Sequence, residues 1–271
     1  MMKYVAAVCT VLLAAILLMS LFAPQLAPYD PNAVDMRNRL AAPSAEHLLG
    51  TDTLGRDLLS RTIYGGRESI VLALAATFCS MLVGLLVGMI AGYFGGLADW
   101  IVTMLSSIFQ GIPSMCFMVA LAGILGPGKR SILISVTVTS WVGFSRIVRS
   151  EVMRLRGESY IESARGIGAS HLRILFSDIL PNIWGDILIL FTSRLGGVIL
   201  STASLSFLGL GIQAPTPDWG VMINDARSTF RSSPLQALAP GCCIFLLAMC
   251  VNLIGDYLRD ISDVRESNAS Q

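Results

Sequence analysis

The sequence predicts an all-α, polytopic membrane protein with six transmembrane helices, and three observations carry that prediction. Of 271 residues, 54% are hydrophobic and only 14% charged, against roughly 25% charged in an average soluble domain. The mean hydropathy is +0.69. Apolar runs recur at about the 20-residue length that a helix needs to cross 30 Å of hydrocarbon, and almost no strand alternation accompanies them. Lys and Arg (19) balance Asp and Glu (18) to a net +1, so no excess field gathers nucleic acid, and the high hydrophobicity excludes intrinsic disorder.

The first run covers 5–23. Met1, Met2 and Lys3 before an apolar stretch also suit a cleavable signal with a cut at Ala23, but Pro24 disfavours that cut, so 1–23 is expected to remain as the first helix. The segment 24–68 follows as an extracytoplasmic connection. The helical core spans 69–258, with helices expected at 70–93, 100–125, 132–148, 183–210 and 235–258 and a polar connection at about 151–182. The charged stretch 259–271 reads as a tail. An even number of spans leaves both termini on one side. Arg146, Arg149, Arg154, Arg156, Arg165 and Arg173 crowd the connection between the fourth and fifth helices, with Lys3, Arg259 and Arg265 on the same side. That side is expected to be cytoplasmic. Arg37, Arg39, Arg56, Arg61 and Arg67 fall on the opposite side, largely balanced by acidic neighbours, in a segment long enough to translocate with its charges.

In the second helix Ala76, Ser80, Gly84, Gly88, Gly92 and Gly96 recur every fourth residue. Such a stripe lets a neighbouring helix approach closely and reads as packing, within the bundle or against a second subunit. The third helix contains Gln110 and Pro113. Proline leaves a carbonyl unpaired and kinks a helix, which serves structure or substrate contact equally well. Asp186 and Arg194 fall in the fifth helix, where a charge costs about 2.5–3.5 kcal/mol on insertion scales. Arg194, the deeper, is expected to line a translocation path or pair across subunits, whereas Asp186 equally suits an interfacial position.

The connection between the fourth and fifth helices is polar and helix-prone. Glu162, Ala164 and Arg165 fit a short helix, Gly166 and Gly168 permit a sharp turn, and 169–177 fits a second helix that Pro181 closes. The pattern Glu162-x-Ala164-x-x-x-Gly168, with Pro181 thirteen residues beyond Gly168, resembles the EAA loop of binding-protein-dependent ABC importer permeases. Ser163 and Asp178 depart from the usual pattern without removing the acidic residue or the glycine turn.

A second block, His47-Leu-Leu-Gly-Thr-Asp52-Thr-Leu-Gly-Arg56-Asp57-Leu-Leu-Ser-Arg61 followed by Tyr64-Gly65-Gly66-Arg67-Glu68-Ser69, is similar to the C-type permeases of dipeptide, oligopeptide and nickel importers. Leu205-Ser-Phe-Leu-Gly-Leu-Gly211 and Ala214-Pro-Thr-Pro-Asp-Trp219-Gly-Val-Met222 resemble the same subfamily. The stretch Trp219–Arg227 with Pro234-Leu235-Gln236 is most similar to nickel-type members. The resemblance runs from Ala23 onward. It implies a type I ABC importer permease fold with a cytoplasmic coupling-helix loop and a bacterial inner-membrane location. It also implies a homologous second permease, two ATP-binding subunits and an extracytoplasmic solute-binding protein delivering a short peptide or nickel. The loop residues Glu162, Ala164, Arg165, Gly168, Ser170 and Pro181 would then dock on the ATPase. Similar permeases carry an Arg and an Asp near the start of the third helix, where Leu105 and Ser107 stand here, so a charge network at that end is expected to be missing or rebuilt.

Enzyme chemistry finds little footing. The chain has two histidines, His47 and His171, far apart and on opposite sides of the expected topology, and no metal site is expected. Ser170 beside His171 superficially suits a protease serine but lies in the polar loop. The six cysteines sit in apolar runs and never as Cys-x-x-Cys, as small packing residues do. No Gly-x-x-x-x-Gly-Lys-Ser/Thr occurs, so no nucleotide cofactor is expected on this chain, and ATP and Mg belong to partner subunits. Asp52, Arg56, Asp57 and Arg61 either meet a delivering binding protein or fold the 24–68 segment through ion pairs, with folding favoured. A self-contained channel or secondary transporter and an intramembrane enzyme remain the rival classes.

Overall fold

In the computed structural model residues 2–269 are described, with side chains from 3 to 261. Helix is the regular structure of the described chain, and no strand occurs among these residues. Helix α1 (Met2–Leu21) leads into a four-residue turn of helix, α2 (Ala23–Leu26), in which Ala23 is fully buried. After an irregular stretch comes α3 (Leu58–Phe94). It starts well before residue 70, because the Asp57 carboxylate caps it, accepting from Ser60 N at 2.7 Å. A side-chain acceptor at that position satisfies an orphan amide of the first turn. Residues 58–69, expected in the connecting segment, are therefore its first turns.

The third expected span is two helices. α4 (Gly96–Gly111) and α5 (Ser114–Leu125) meet at 92° across Ile112-Pro113, where the proline contributes no amide to a continuing helix. α4 begins at the end of α3 and α5 ends where α6 (Lys129–Arg156) begins. The broken pair thus joins opposite ends of the bundle. Among the described residues five helices are long and apolar enough to cross a membrane, or six if the bent pair crosses as one span.

α6 runs antiparallel to α3. Lys129 Nζ meets Glu68 Oε2 at 2.5 Å at one end, and Arg156 Nη1 donates to the Tyr93 carbonyl at 2.9 Å at the other. Between them the small-residue stripe works inside this chain. A Cβ on Gly88 or on Gly92 would lie 2.7 Å from the backbone oxygen of Ser145 or Arg149, respectively, and one on Gly84 equally close to that of Trp141. The glycines let the two backbones touch. Gly96 stands apart: it lies past the end of α3, opens α4 at φ +53° and has no atom within 4 Å of its would-be Cβ.

The polar connection folds as α7 (Ser159–Gly166), a turn, and α8 (His171–Arg173). A π-helical stretch, Ile174–Ile179, then leads directly into α9 (Leu180–Phe207). Pro181 does not close the helix as expected. It sits in the first turn of α9, where a missing N–H matters least, and the wider π turn before it accommodates the ring. Helix α10 (Trp219–Asp225) and α11 (Leu235–Ala269) complete the chain. The tail expected at 259–271 continues α11 to Ala269. The Arg265 side chain and Gln271 lie outside the described residues.

Two apolar cores stack along the bundle. One gathers Leu58, Ile70, Ile132, Leu205, Trp219 and Leu247 near the start of α3. The other gathers Tyr93, Phe144, Val152, Ile161, Ile174 and Ile183 near its end and ties the α7–α8 region to the membrane helices.

Candidate functional site: an arginine-lined cavity and the α7–α8 loop

At the α7 end of the bundle, α4, α6, α9 and α11 enclose an open cavity of about 890 Å³ whose lining includes Ser106, Gln110, Arg146, Arg149, Arg194 and Arg259. A second cavity of about 500 Å³ lies deeper, against Pro113, Ser114, Met118, Thr139 and Ser201, and shares Gln110, Gly143, Arg146 and Arg194 with the first. The shared residues make the two cavities one groove. The bend at Pro113 swings α5 away from the line of α4 and so shapes its deeper half.

Arg194 reaches from α9 onto the backbone of α6. A Cβ on Gly143 would fall 2.9 Å from the guanidinium carbon, so glycine is what lets the arginine lie there. Gln110 is fixed from both sides, donating to Ser106 O at 3.0 Å and accepting from Arg146 Nη1 at 2.7 Å. Asp186 is half-buried on α9 and lines neither cavity. At the start of the third span Arg149 on α6 pairs with both carboxylate oxygens of Asp99 on α4. Sequence reasoning counted Arg146, Arg149 and Arg259 only as topology signals. The spacing of Arg146 and Arg149, three apart on one helix, was the signal that both share a face.

In the α7–α8 loop Glu162, Arg165 and Gly168 are exposed, while Ala164 and Ala169 pack on the second core. Gly168 takes φ +81°, the left-handed conformation that ends helices. Gly166 stays within α7. Ser170 caps α8, accepting from Arg173 N at 3.4 Å. Two contacts moor the loop to the end of α3: the Arg165 guanidinium lies 5.0 Å from the centre of the Tyr93 ring, and Tyr93 Oη is 2.9 Å from His171 Nδ1.

At the opposite end Asp52, Arg56, Asp57 and Arg61 are all buried. Asp52 Oδ2 pairs with Arg56 Nε at 2.6 Å and lies 3.5 Å from Arg61 Nε. Arg61 donates to Pro31 O at 2.9 Å, Asp57 bonds His47 Nδ1 at 2.9 Å, and Arg56 reaches Asp225 at 3.8 Å. Burial raises the Asp225 carboxyl above the ordinary carboxylate range against the opposing pull of Arg56 and Arg61. These charges clasp the 24–57 segment onto α3 and α10. The structure also joins two motif blocks: Trp219 Nε1 donates to Thr62 O at 2.8 Å, and Ser69 Oγ donates to Asp218 Oδ2 at 2.7 Å. Gly65 and Gly66 admit the indole, since Cβ atoms there would lie 3.0 and 2.8 Å from its ring. Among the described residues no group of three or more His, Cys, Asp or Glu stands where a metal ion would be held.

Comparison with known proteins agrees with this architecture. Residues 84–265 match the family described as "Binding-protein-dependent transport system inner membrane component", and residues 3–43 match "N-terminal TM domain of oligopeptide transport permease C". The chain is 41% identical over 249 residues to the glutathione transport system permease protein GsiD of Shigella sonnei, covering 92% of this chain and 82% of that one. It is 36% identical over 253 residues to the nickel transport system permease protein NikC of Escherichia coli, covering 93% and 91%. A solved structure of the MetNI methionine ABC transporter in inward-facing conformations shares the fold, with a TM-score of 0.59 at 19% identity over 75% of this chain and 96% of that one. The chain belongs to the family of binding-protein-dependent transport system inner membrane components, as a non-catalytic permease subunit of the dipeptide/nickel group of ABC importers.

Proposed function

We propose that this chain forms half of a translocation pathway for a short peptide or for nickel, as ion or chelate, in the bacterial inner membrane. It pairs with a homologous permease. Two ATP-binding subunits dock on the Glu162–Asn182 loop, an extracytoplasmic binding protein delivers the cargo, and both termini face the cytoplasm. The ATPase subunits bind the ATP and Mg.

The observation that carries this reading is the shape of the loop. It presents exposed Glu162, Arg165 and Gly168 outward while Tyr93 and the second core hold its inner side to α3. A push on such a lever reaches the membrane helices, and the groove opens beside it. Closure of the ATPases would then shift the bundle between outward-open and inward-open states. The shift can be only as large as the difference in binding free energy between those states. The test is ATP-dependent uptake in membrane vesicles carrying the whole complex. Glu162→Lys should abolish uptake while the subunit still inserts, and unchanged uptake would overturn the coupling role and favour a self-contained transporter.

A further inference from the structure

The groove has a sign. Its described lining carries Arg146, Arg149, Arg194 and Arg259 from three helices, against one carboxylate, Glu151. That carboxylate already accepts from Arg154 at 2.9 and 2.8 Å, and Arg149 is taken by Asp99. Among the described residues Arg146, Arg194 and Arg259 have no ion-pair partner. A guanidinium within a membrane span, as Arg194 is on α9, needs a counter-charge. Walls of one sign around a low-dielectric cleft raise the local concentration of the opposite ion and repel the like one.

Resting on the importer reading above, we propose that this groove passes an anionic, carboxylate-bearing cargo, such as a short peptide of net negative charge, and turns away a bare divalent cation. Arg194, held over Gly143 where the two cavities meet, is the residue that selects by charge. Arg146, oriented by Gln110, and Arg259 extend the same field toward the loop end.

The experiment measures the groove's potential without relying on the binding protein's own selectivity. A cysteine replaces Ser107 on the cavity wall (Ser107→Cys) in the complete transporter. Its rates of reaction with a sulfonate-bearing and a trimethylammonium-bearing methanethiosulfonate are compared with those of a free thiol, after subtracting the background of the chain with Ser107 intact. The anionic-to-cationic rate ratio should exceed the free-thiol ratio about tenfold, fall back about fivefold or more in Arg194→Gln and stay high in Arg194→Lys. A ratio equal to that of the free thiol overturns the proposal. So does loss of the partner permease from purified Arg194→Gln complex, because Arg194 would then serve subunit pairing. Uptake into proteoliposomes supplies the second readout: glutathione, with one net negative charge, should outpace free Ni²⁺, and faster uptake of free Ni²⁺ contradicts the proposal. Absence of ATP-dependent uptake of every solute tried would instead contradict the importer reading, with the thiol ratio still deciding the charge of the groove.

Discussion

The Trp219 indole donates a 2.8 Å hydrogen bond to the backbone carbonyl of Thr62, a residue 157 positions earlier in the chain. The bond joins α10 to the first turns of α3 in the apolar core that also holds Leu58 and Leu205. Trp219→Phe keeps most of the apolar volume but removes the donor, at a cost of about 0.5–1.5 kcal/mol for one lost hydrogen bond, since Thr62 O keeps its place in the α3 ladder. The expected result is a lower unfolding midpoint of the detergent-solubilised chain, with Trp219→Ala lower still by the added cavity, about 3–5 kcal/mol in all.

The α3–α6 contact gives a position-specific expectation. Gly88→Val places a side chain where even a Cβ would lie 2.7 Å from Ser145 O, so it should force the two helices apart and destabilise the bundle by about 2 kcal/mol or more. Gly185 on α9 has nothing within 4 Å, and Gly185→Ala should be neutral or stabilising by about 0.5–1 kcal/mol. Thermal unfolding of both variants in one detergent checks the contrast.

Asp99 and Arg149 form a cross-helix pair that is partly accessible, so its net worth is modest. A double-mutant cycle with Asp99→Asn and Arg149→Gln should return a coupling of about 0.5–2 kcal/mol. The charge-swapped double variant, Asp99→Arg with Arg149→Asp, should recover more uptake than either single swap.

Asp218 supplies a pH dependence. It is buried, and desolvation holds its carboxyl above the ordinary 3.8 despite hydrogen bonds from Ser69 and Val221 that favour the charged form. The folded state therefore binds the proton more tightly than the unfolded chain. Its contribution to stability is full below the ordinary value and is lost as pH rises through the raised one. Asp218→Asn lacks this titration. The stability advantage of the natural residue over Asn should be largest in acid and shrink toward neutral pH, read as unfolding midpoints from about pH 4 to pH 8.

Composition and run length made the membrane class and the five to six candidate spans legible, because hydrocarbon thickness sets helix length directly. The ends of helices were less legible. The Asp57 cap outweighs the charged Arg67 and Glu68 that interrupt the apolar run, so α3 starts inside what hydropathy assigns to a connection. Pro113 was visible as a kink, but the 92° angle depends on how α5 packs against α6, which one helix's sequence does not contain. Pro181 read as a stop, because proline at a helix start and proline after a helix end look alike without the neighbouring π turn. The groove's arginines were in plain view, yet their convergence from α6, α9 and α11 is a long-range fact. The same holds for Trp219 and the paired glycines at 65 and 66, each visible as a motif but not as partners.

The importer reading requires an ATPase seated on the loop around Glu162. The most direct measurement places a cysteine there (Glu162→Cys) in the tagged chain, purifies it from its own host in mild detergent after treatment with a short bismaleimide, and identifies the cross-linked protein by mass spectrometry. The expected result is a P-loop ATPase joined at residue 162, together with a second permease, and a cross-link yield that changes with ATP. A chain that purifies alone, from membranes still active in transport, would contradict it.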